Sequence, residues 1–104
     1  MALIDTLEMM LAKGQDSALL RYGLGNEYLK QKLFAQAIVH LHKALEFNPR
    51  YSAAWKTLGQ AFAASGQKDE AIAAFAHGSA NAEQQGDIQA AKEMRIYLKR
   101  LHKN

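Results

Sequence analysis

The stretch AAWKTLGQAFAASG, residues 53 to 66, places a tryptophan, a Leu-Gly pair and a phenylalanine on one helical face. Trp55 and Phe62 are seven residues apart, so both side chains would project from the same side of a helix. Gly59 between them costs roughly 1 kcal/mol of helix propensity relative to alanine. A second helix can approach closely where there is no side chain, and we expect this close packing to offset the cost.

The same pattern occurs 34 residues earlier in the chain. Leu58 and Gly59 align with Leu24 and Gly25 at that offset. The other aligned pairs are Phe62 with Tyr28, Ala71 with Ala37, Phe75 with Leu41, and Gly78 with Ala44. A repeat of this length indicates stacked helical hairpins, none of which can bury its apolar face alone.

This pattern resembles the tetratricopeptide repeat (TPR) family, whose 34-residue unit reads W-x2-L-G-x2-Y, then A-x3-F, then P. The residues that carry the resemblance are Leu24, Gly25, Tyr28, Ala37, Leu41 and Pro49 in the first repeat and Trp55, Leu58, Gly59, Phe62, Ala71 and Phe75 in the second. The chain departs from the pattern at Arg21, which replaces the tryptophan, at Glu83, which replaces the second proline, and at Lys32, which replaces the turn glycine seen at Gly66.

Good helix formers dominate the sequence and alternating β-branched runs do not appear, so we predict an all-α fold in a single domain, residues 1–104. The predicted parts are an N-terminal helix at 2–13, repeat 1 at 18–51, repeat 2 at 52–85 and a capping helix at 87–103. Together they form a solenoid of about six antiparallel helices. The predicted N-caps are Asp16 or Ser17, Ser52, Asp69 and Asp87, and the predicted helix-ending glycines are Gly14, Gly66 and Gly86.

Both ends of the chain resemble half repeats. One further period back, Leu3, Leu7 and Met10 fall on the positions of Ala37, Leu41 and Ala44, so the first helix corresponds to a second helix without its partner. After a two-residue shift in register, Ala91, Met94, Leu98 and Leu101 fall on the positions of Trp55, Leu58, Phe62 and Ser65. The last helix is therefore predicted to pack like the first helix of a third repeat.

Composition excludes several classes of protein. The chain has no cysteine, which removes disulfides and thiol chemistry and fits a reducing compartment. No apolar run approaches the roughly 18 residues of a membrane helix, and Asp5 and Glu8 interrupt the N-terminal apolar stretch, which argues against a secretion signal. We therefore expect a cytoplasmic protein with no membrane partner.

Catalytic and metal-binding patterns are missing from the sequence. His40 and His42 are two residues apart, which places them on different faces of a helix and disfavours a shared metal ion. The sequence has no nucleophile elbow, and Gly23 and Gly25 lie inside a predicted helix with no strand before them, unlike a phosphate-binding loop. We expect no enzyme activity, cofactor or metal.

The resemblance implies a protein–protein interaction module or adaptor that holds a peptide or partner segment in a concave groove lined by the first helix of each pair. The groove residues it implies are Tyr22, Asn26, Leu29, Lys30, Lys56, Gln60, Lys92, Ile96, Lys99 and Arg100. Five of these are basic and none is acidic, so we predict a partner that is acidic or ends in a carboxylate. The N-terminal helix at 2–13, with Met9 beside its main apolar stripe, is the candidate surface for self-association.

The net charge of +3 arises from the end of the chain. Residues 1–86 hold eight Lys/Arg and eight Asp/Glu, whereas residues 87–104 hold five Lys/Arg and two Asp/Glu. This basic helix is either the solvated face of a cap or an anion-binding patch, which makes nucleic acid or another polyanion the alternative partner. The basic set is small and Tyr97 is its only aromatic neighbour, so a protein partner is preferred.

Overall fold

Six α-helices connected by short turns make up the computed structural model, which describes residues 2–103. The helices are α1 (Ala2–Ala12), α2 (Ala18–Lys30), α3 (Phe34–Phe47), α4 (Ser52–Ala64), α5 (Lys68–Gln84) and α6 (Ile88–Lys103). No strand is present between residues 2 and 103, which confirms the prediction of an all-α fold. None of the six helices combines the length and the apolar character needed to span a bilayer.

The positions of the turns agree better with the predicted helix-ending glycines than with the predicted N-caps. Gly14, Gly66 and Gly86 adopt positive φ angles of 84°, 79° and 80°, and Lys32 takes the same left-handed conformation, φ 62°, in the turn that lacks a glycine. That conformation is favourable for glycine and strained for lysine. The sequence therefore stabilises the α2–α3 turn less than it stabilises the turns that contain a glycine.

Two of the predicted N-caps form, and two predictions were wrong. The Ser17 hydroxyl accepts a hydrogen bond from the Leu20 amide at 3.0 Å, and the Asp87 carboxylate accepts one from the Ala90 amide at 3.2 Å. Ser52 is already helical, and α5 begins at Lys68, so the residues before these two helices, Tyr51 and Gln67, make no side-chain cap. Asp69 lies in the first turn of α5, where its negative charge is favourable to the helix dipole.

The helices pack mainly against their neighbours in the chain. α2 pairs with α3 and α4 with α5, α3 packs on α4 and α5 on α6, and α1 packs on α2. In addition, α2 contacts α4 and α4 contacts α6, so these three helices lie side by side on one side of the solenoid. The largest fully buried side chains are Phe75, Leu24, Leu41, Leu58 and Met94.

Gly25 and Gly59 mark close approaches between the two helices of each hairpin. A Cβ atom at Gly25 would lie 2.5 Å from Cγ of Leu41, and one at Gly59 would lie 2.6 Å from Cε1 of Phe75. Neither distance leaves room for a methyl group, which confirms the close approach predicted at Gly59. In both repeats the glycine of the first helix packs against a large apolar residue of the second helix, which is Leu41 in repeat 1 and Phe75 in repeat 2.

Trp55 is less buried than its position in the repeat pattern predicts. Its ring is half-buried and stacks on His77 with centroids 5.5 Å apart, and its indole N–H donates to the carbonyl of Pro49 at 2.8 Å. Phe75, which is fully buried, is the aromatic centre of the core instead. Losing the tryptophan ring would therefore cost less than losing a fully buried aromatic side chain.

Arg21, at the position equivalent to Trp55, replaces aromatic packing with a polar network. Its guanidinium donates to both carboxylate oxygens of Asp16 at 2.8 and 2.9 Å, and its Nη1 lies 3.1 Å from Nδ1 of His40. The His40 ring also stacks on Tyr28 at 5.5 Å, and its Nε2 lies 3.7 Å from a Glu8 oxygen. The network requires an unprotonated Nδ1 that can accept from Arg21, so it favours neutral histidine.

Stability should consequently fall when His40 is forced to take up a proton. Burial lowers the pKa of His40 below its ordinary value of 6.5, and the nearby Arg21 lowers it further against the opposing effect of Glu8. The unfolded chain binds the proton more readily, so the melting temperature should drop as the pH falls below about 6.5. We expect thermal melts from neutral pH to about pH 5 to show a smaller drop for His40→Gln than for the parent protein. His102→Gln, at an exposed position in the last turn of α6, is the control. Equal pH dependence in both variants would show that His40 is not responsible.

Candidate functional site

The surface shared by α4 and α6 holds a polar cavity of about 280 Å³ lined by Lys56, Glu93, Ile96, Tyr97 and Arg100. We call the exposed side of α2, α4 and α6 around this cavity the first-helix surface. Lys56, Ile96 and Arg100 are predicted groove residues that the fold brings together here. Glu93 and Tyr97 complete the cavity, although neither belongs to the set predicted from the sequence.

An ion pair connects α4 to α6 across this surface. Nζ of Lys56 lies 2.9 Å from Oε1 of Glu93, and Gln89 donates to the other carboxylate oxygen of Glu93 at 3.4 Å. The hydrogen bond to Glu93 raises the pKa of Lys56, and the same bond lowers the pKa of Glu93. The predicted groove residues therefore have an acidic neighbour in Glu93, and the charge of Lys56 is already balanced within the chain.

Tyr97 forms the apolar wall of the cavity and is anchored on both sides. Its hydroxyl accepts a hydrogen bond from Nε2 of Gln60 at 2.7 Å, and its ring stacks on Phe75 with centroids 4.8 Å apart and planes 2° from parallel. The guanidinium carbon of Arg100 lies 5.8 Å from the centroid of the Tyr97 ring, within range of a cation–π interaction. The aromatic side of the cavity is thus held by two contacts, and its edge is positively charged.

The remaining predicted groove residues lie outside this cavity. Lys92 and Lys99 line a different depression, of about 510 Å³, together with Arg95 and Ile96 on the outer side of α6. On α2, Tyr22 and Leu29 are half-buried, and the Tyr22 ring packs on Tyr51 at 5.1 Å. Asn26 lies toward α1, and Lys30 pairs with Glu27 at 3.1 Å. The predicted residues therefore do not form one continuous basic groove.

A second, apolar cavity of about 380 Å³ lies between α1 and α2 at the other end of the molecule. We call it the terminal groove, and its apolar lining residues are Leu3, Leu7, Met10, Leu19, Leu20 and Gly23. Leu3 is 51% exposed, Met10 37% and Leu19 72%. The sequence signal for it is the alignment of Leu3, Leu7 and Met10 with three core positions of the first repeat.

The histidines of α3 do not share a site. Across residues 2–103, no three His, Asp or Glu side chains come close enough together to bind a metal ion. His40 is held by Arg21, whereas the His42 ring packs edge-on against Phe62 at 5.9 Å. The two histidines flagged by the sequence thus have separate packing partners.

Comparison with known proteins places the chain among repeat proteins. Residues 28–94 match the family model for the tetratricopeptide repeat. A TPR repeat-containing protein of Pseudomonas aeruginosa is 48% identical over 99 residues, covering 95% of this chain and 94% of that protein. The solution structure of a Bordetella parapertussis protein matches with a TM-score of 0.88 and 42% identity, covering 99% of this chain and 90% of that one. A TPR domain protein of Salinibacter ruber shares the fold, with a TM-score of 0.76 and 23% identity over 83% of this chain and 87% of its own.

Proposed function

Because the chain belongs to the tetratricopeptide repeat family, whose fold generally mediates protein–protein interaction, we propose that its first-helix surface binds an acidic segment of a partner protein. Such a role requires no catalysis, in keeping with a family of typically non-enzymatic scaffolds. We propose the cytoplasm as the compartment, in line with the absence of cysteine.

The observation that carries this proposal is the unequal state of the cations on α4 and α6. Lys56 has its charge balanced by Glu93 at 2.9 Å. For Arg100 and Lys99, by contrast, no carboxylate among residues 2–103 lies within ion-pairing distance, and both side chains are exposed. An incoming carboxylate can therefore pair with Arg100 or Lys99 without displacing an internal partner.

The apolar part of the cavity supports the same ligand class. Ile96 is 50% exposed, and Tyr97 presents its ring beside it. A partner segment could place an apolar side chain against these two residues while its carboxylates meet the cations at the rim. Burying apolar area would then supply affinity, and the charges would contribute orientation and a faster encounter.

Nucleic acid is the weaker alternative for two structural reasons. Arg95, one of the five basic residues of the last helix, is paired with Glu83 at 2.6 Å. The Tyr97 ring lies against Phe75, so one of its faces is not open for stacking on a base. The remaining lysines could attract phosphates only as a small exposed cluster, which gives weak and salt-sensitive binding.

A charge-reversal experiment tests the proposed surface. The partner is captured from the native cell extract by the wild-type protein, identified and purified, and its affinity is then measured for Lys99→Glu combined with Arg100→Glu. We expect a loss of about tenfold or more, equivalent to about 1.4 kcal/mol, together with a flatter dependence on salt concentration. The loss follows from replacing two attractive charges by two repulsive ones.

The matched control is Lys43→Glu combined with Lys68→Glu, which changes the net charge equally at exposed positions on α3 and α5. This control should bind like wild type. If both double variants lose affinity equally, the partner responds to overall charge and not to this surface. If neither loses affinity, the partner binds elsewhere.

A further inference from the structure

A pocket of about 280 Å³ opens where α3, α4 and α5 meet, and it shares no lining residue with the polar cavity. We call it the aromatic pocket, and its main lining residues are His42, Trp55, Phe62, Glu70, Ala74 and His77. Each of these three helices packs against a helix before it and a helix after it in the chain. The pocket is therefore a feature of the middle of the solenoid and does not depend on what lies at either end.

The floor of the aromatic pocket consists of rings held in place by their neighbours. His77 stacks on the half-buried Trp55 with centroids 5.5 Å apart. His42 packs edge-on against Phe62, which is 8% exposed. The indole N–H of Trp55 already donates to the carbonyl of Pro49 at 2.8 Å. A side chain that enters the pocket therefore meets aromatic rings and apolar atoms on its floor.

Glu70 adds a carboxylate without an internal partner to this pocket. Its side chain is exposed, and within residues 2–103 no lysine, arginine or histidine lies within ion-pairing distance of it. The helix that carries it is acidic, since α5 holds Asp69, Glu70 and Glu83 against Lys68 as its only lysine or arginine. Lys68 is two residues from Glu70 and so points from a different side of the helix. The free charge at the pocket is thus negative.

Aromatic rings and a carboxylate in one pocket select a cation with an apolar stem. The electron-rich faces of the rings attract a positive charge. An exposed ion pair contributes little by itself, so Glu70 alone would not define a site. The guanidinium of arginine can use both features, because it is planar, weakly hydrated, packs on aromatic rings and pairs with a carboxylate through two hydrogen bonds. The more strongly hydrated ammonium of lysine fits an aromatic floor less well.

We propose that the aromatic pocket binds an arginine side chain of a partner protein, with the guanidinium at Glu70 and the methylene stem against Trp55 and Phe62. This ligand has the opposite charge from the one assigned to the first-helix surface. Neither Lys99 nor Arg100 lines the aromatic pocket, so the inference does not rest on the proposed binding of an acidic segment.

The first experiment uses the fluorescence of Trp55, which is the only tryptophan in the 104-residue chain and lines the pocket. The protein is titrated at pH 8, above the range in which histidine is ordinarily protonated, with three capped tripeptides. Each has glycine on both sides of a central arginine, citrulline or leucine. We expect the arginine peptide to give a saturable change. Citrulline, which replaces the guanidinium by a neutral group of the same shape, should bind about fivefold or more weakly.

Two variants then assign the charge preference to one carboxylate. Glu70→Gln keeps the size of the side chain and removes its charge, so this variant should bind the arginine and citrulline peptides equally. The matched control is Asp69→Asn, which removes the same charge from the first turn of α5 at an exposed position outside the pocket lining. The control should keep the preference for arginine. Circular dichroism and a thermal melt verify that both variants fold.

Three results would each overturn the proposal. If the leucine peptide binds as tightly as the arginine peptide, the pocket takes an apolar side chain and Glu70 has no role in selection. Equal loss of the arginine preference in both variants would show that the acidic start of α5 attracts the peptide without a specific site. Absence of a saturable change in Trp55 fluorescence at the highest soluble concentration of the arginine peptide would show that the pocket does not bind this side chain.

Discussion

Replacing Phe75 with alanine is expected to destabilise the protein by about 3 to 5 kcal/mol, the range for removing a fully buried aromatic ring. Phe75 is 0% exposed and connects three helices. Its ring faces Gly59 of α4, belongs to α5, and stacks on Tyr97 of α6 at 4.8 Å. The smaller side chain would leave a cavity that neither the backbone at Gly59 nor the stacked tyrosine can readily fill.

Chemical denaturation followed by circular dichroism measures this loss, and Phe47→Ala provides the matched control. Phe47 ends α3 and is 52% exposed, so the same substitution there should cost much less. A domain of this size has roughly 5 to 15 kcal/mol of stability, so the Phe75 variant should be close to unfolding at moderate temperature. Equal effects at the two phenylalanines would contradict the packing described here.

Alanine at Gly59 and alanine at Gly23 should change stability in opposite directions. Both glycines lie inside helices, where alanine gains roughly 0.5 to 1 kcal/mol in propensity. At Gly23 the added methyl group meets Cδ1 of Leu7 at 3.6 Å, an ordinary contact, so the variant should be stabilised. At Gly59 it meets three atoms of the Phe75 ring at 2.6 to 2.7 Å, so overpacking should give a net loss of about 1 to 3 kcal/mol.

Paired melting curves of the two variants test this difference in sign, because composition and helix propensity change identically in both. Stabilisation by Gly59→Ala would mean that the buried ring can move aside and that the close approach is not required. Destabilisation by Gly23→Ala would mean that α1 is closer to α2 than the 3.6 Å contact indicates. Gly25→Ala should resemble Gly59→Ala, since its methyl group would meet Leu41 at 2.5 Å.

The sequence was sufficient to predict the helices because their signals are local. Apolar spacing set the faces, and Gly14, Gly66 and Gly86 marked the ends at positive φ. The caps at Ser52 and Asp69 were predicted wrongly because a helix can begin one or two residues early without a side-chain cap, and the cost is small enough for tertiary contacts to decide. The burial of Trp55 could not be predicted from the sequence either, since it depends on which side chains of the neighbouring helix cover the ring.

The candidate site was harder to predict because it depends on which side chains of neighbouring helices face each other. Repeat spacing matched Lys56 with Lys92 and Gln60 with Ile96 as equivalent positions, 36 residues apart, but the residues that Lys56 and Gln60 bond are Glu93 and Tyr97. Equivalent positions on helices that lie side by side point the same way, so the residue that contacts Lys56 comes from a different face of α6. Its identity depends on how α6 packs on α4, which repeat spacing alone does not give.

The helices contact only helices that are close to them in sequence, and this has a consequence for how the chain folds. Every helix pair in contact is adjacent in sequence or separated by a single helix, so no contact requires distant parts of the chain to meet first. Such local topologies fold quickly, roughly in microseconds to milliseconds, and can grow from one hairpin outward. The central hairpin of α4 and α5 has neighbours on both sides, whereas α1, within residues 2–103, packs on α2 and reaches α3 only through Glu8 and His40. Amide hydrogens in α1 should therefore exchange through local fraying, while those in α4 and α5 exchange only when the solenoid opens as a whole.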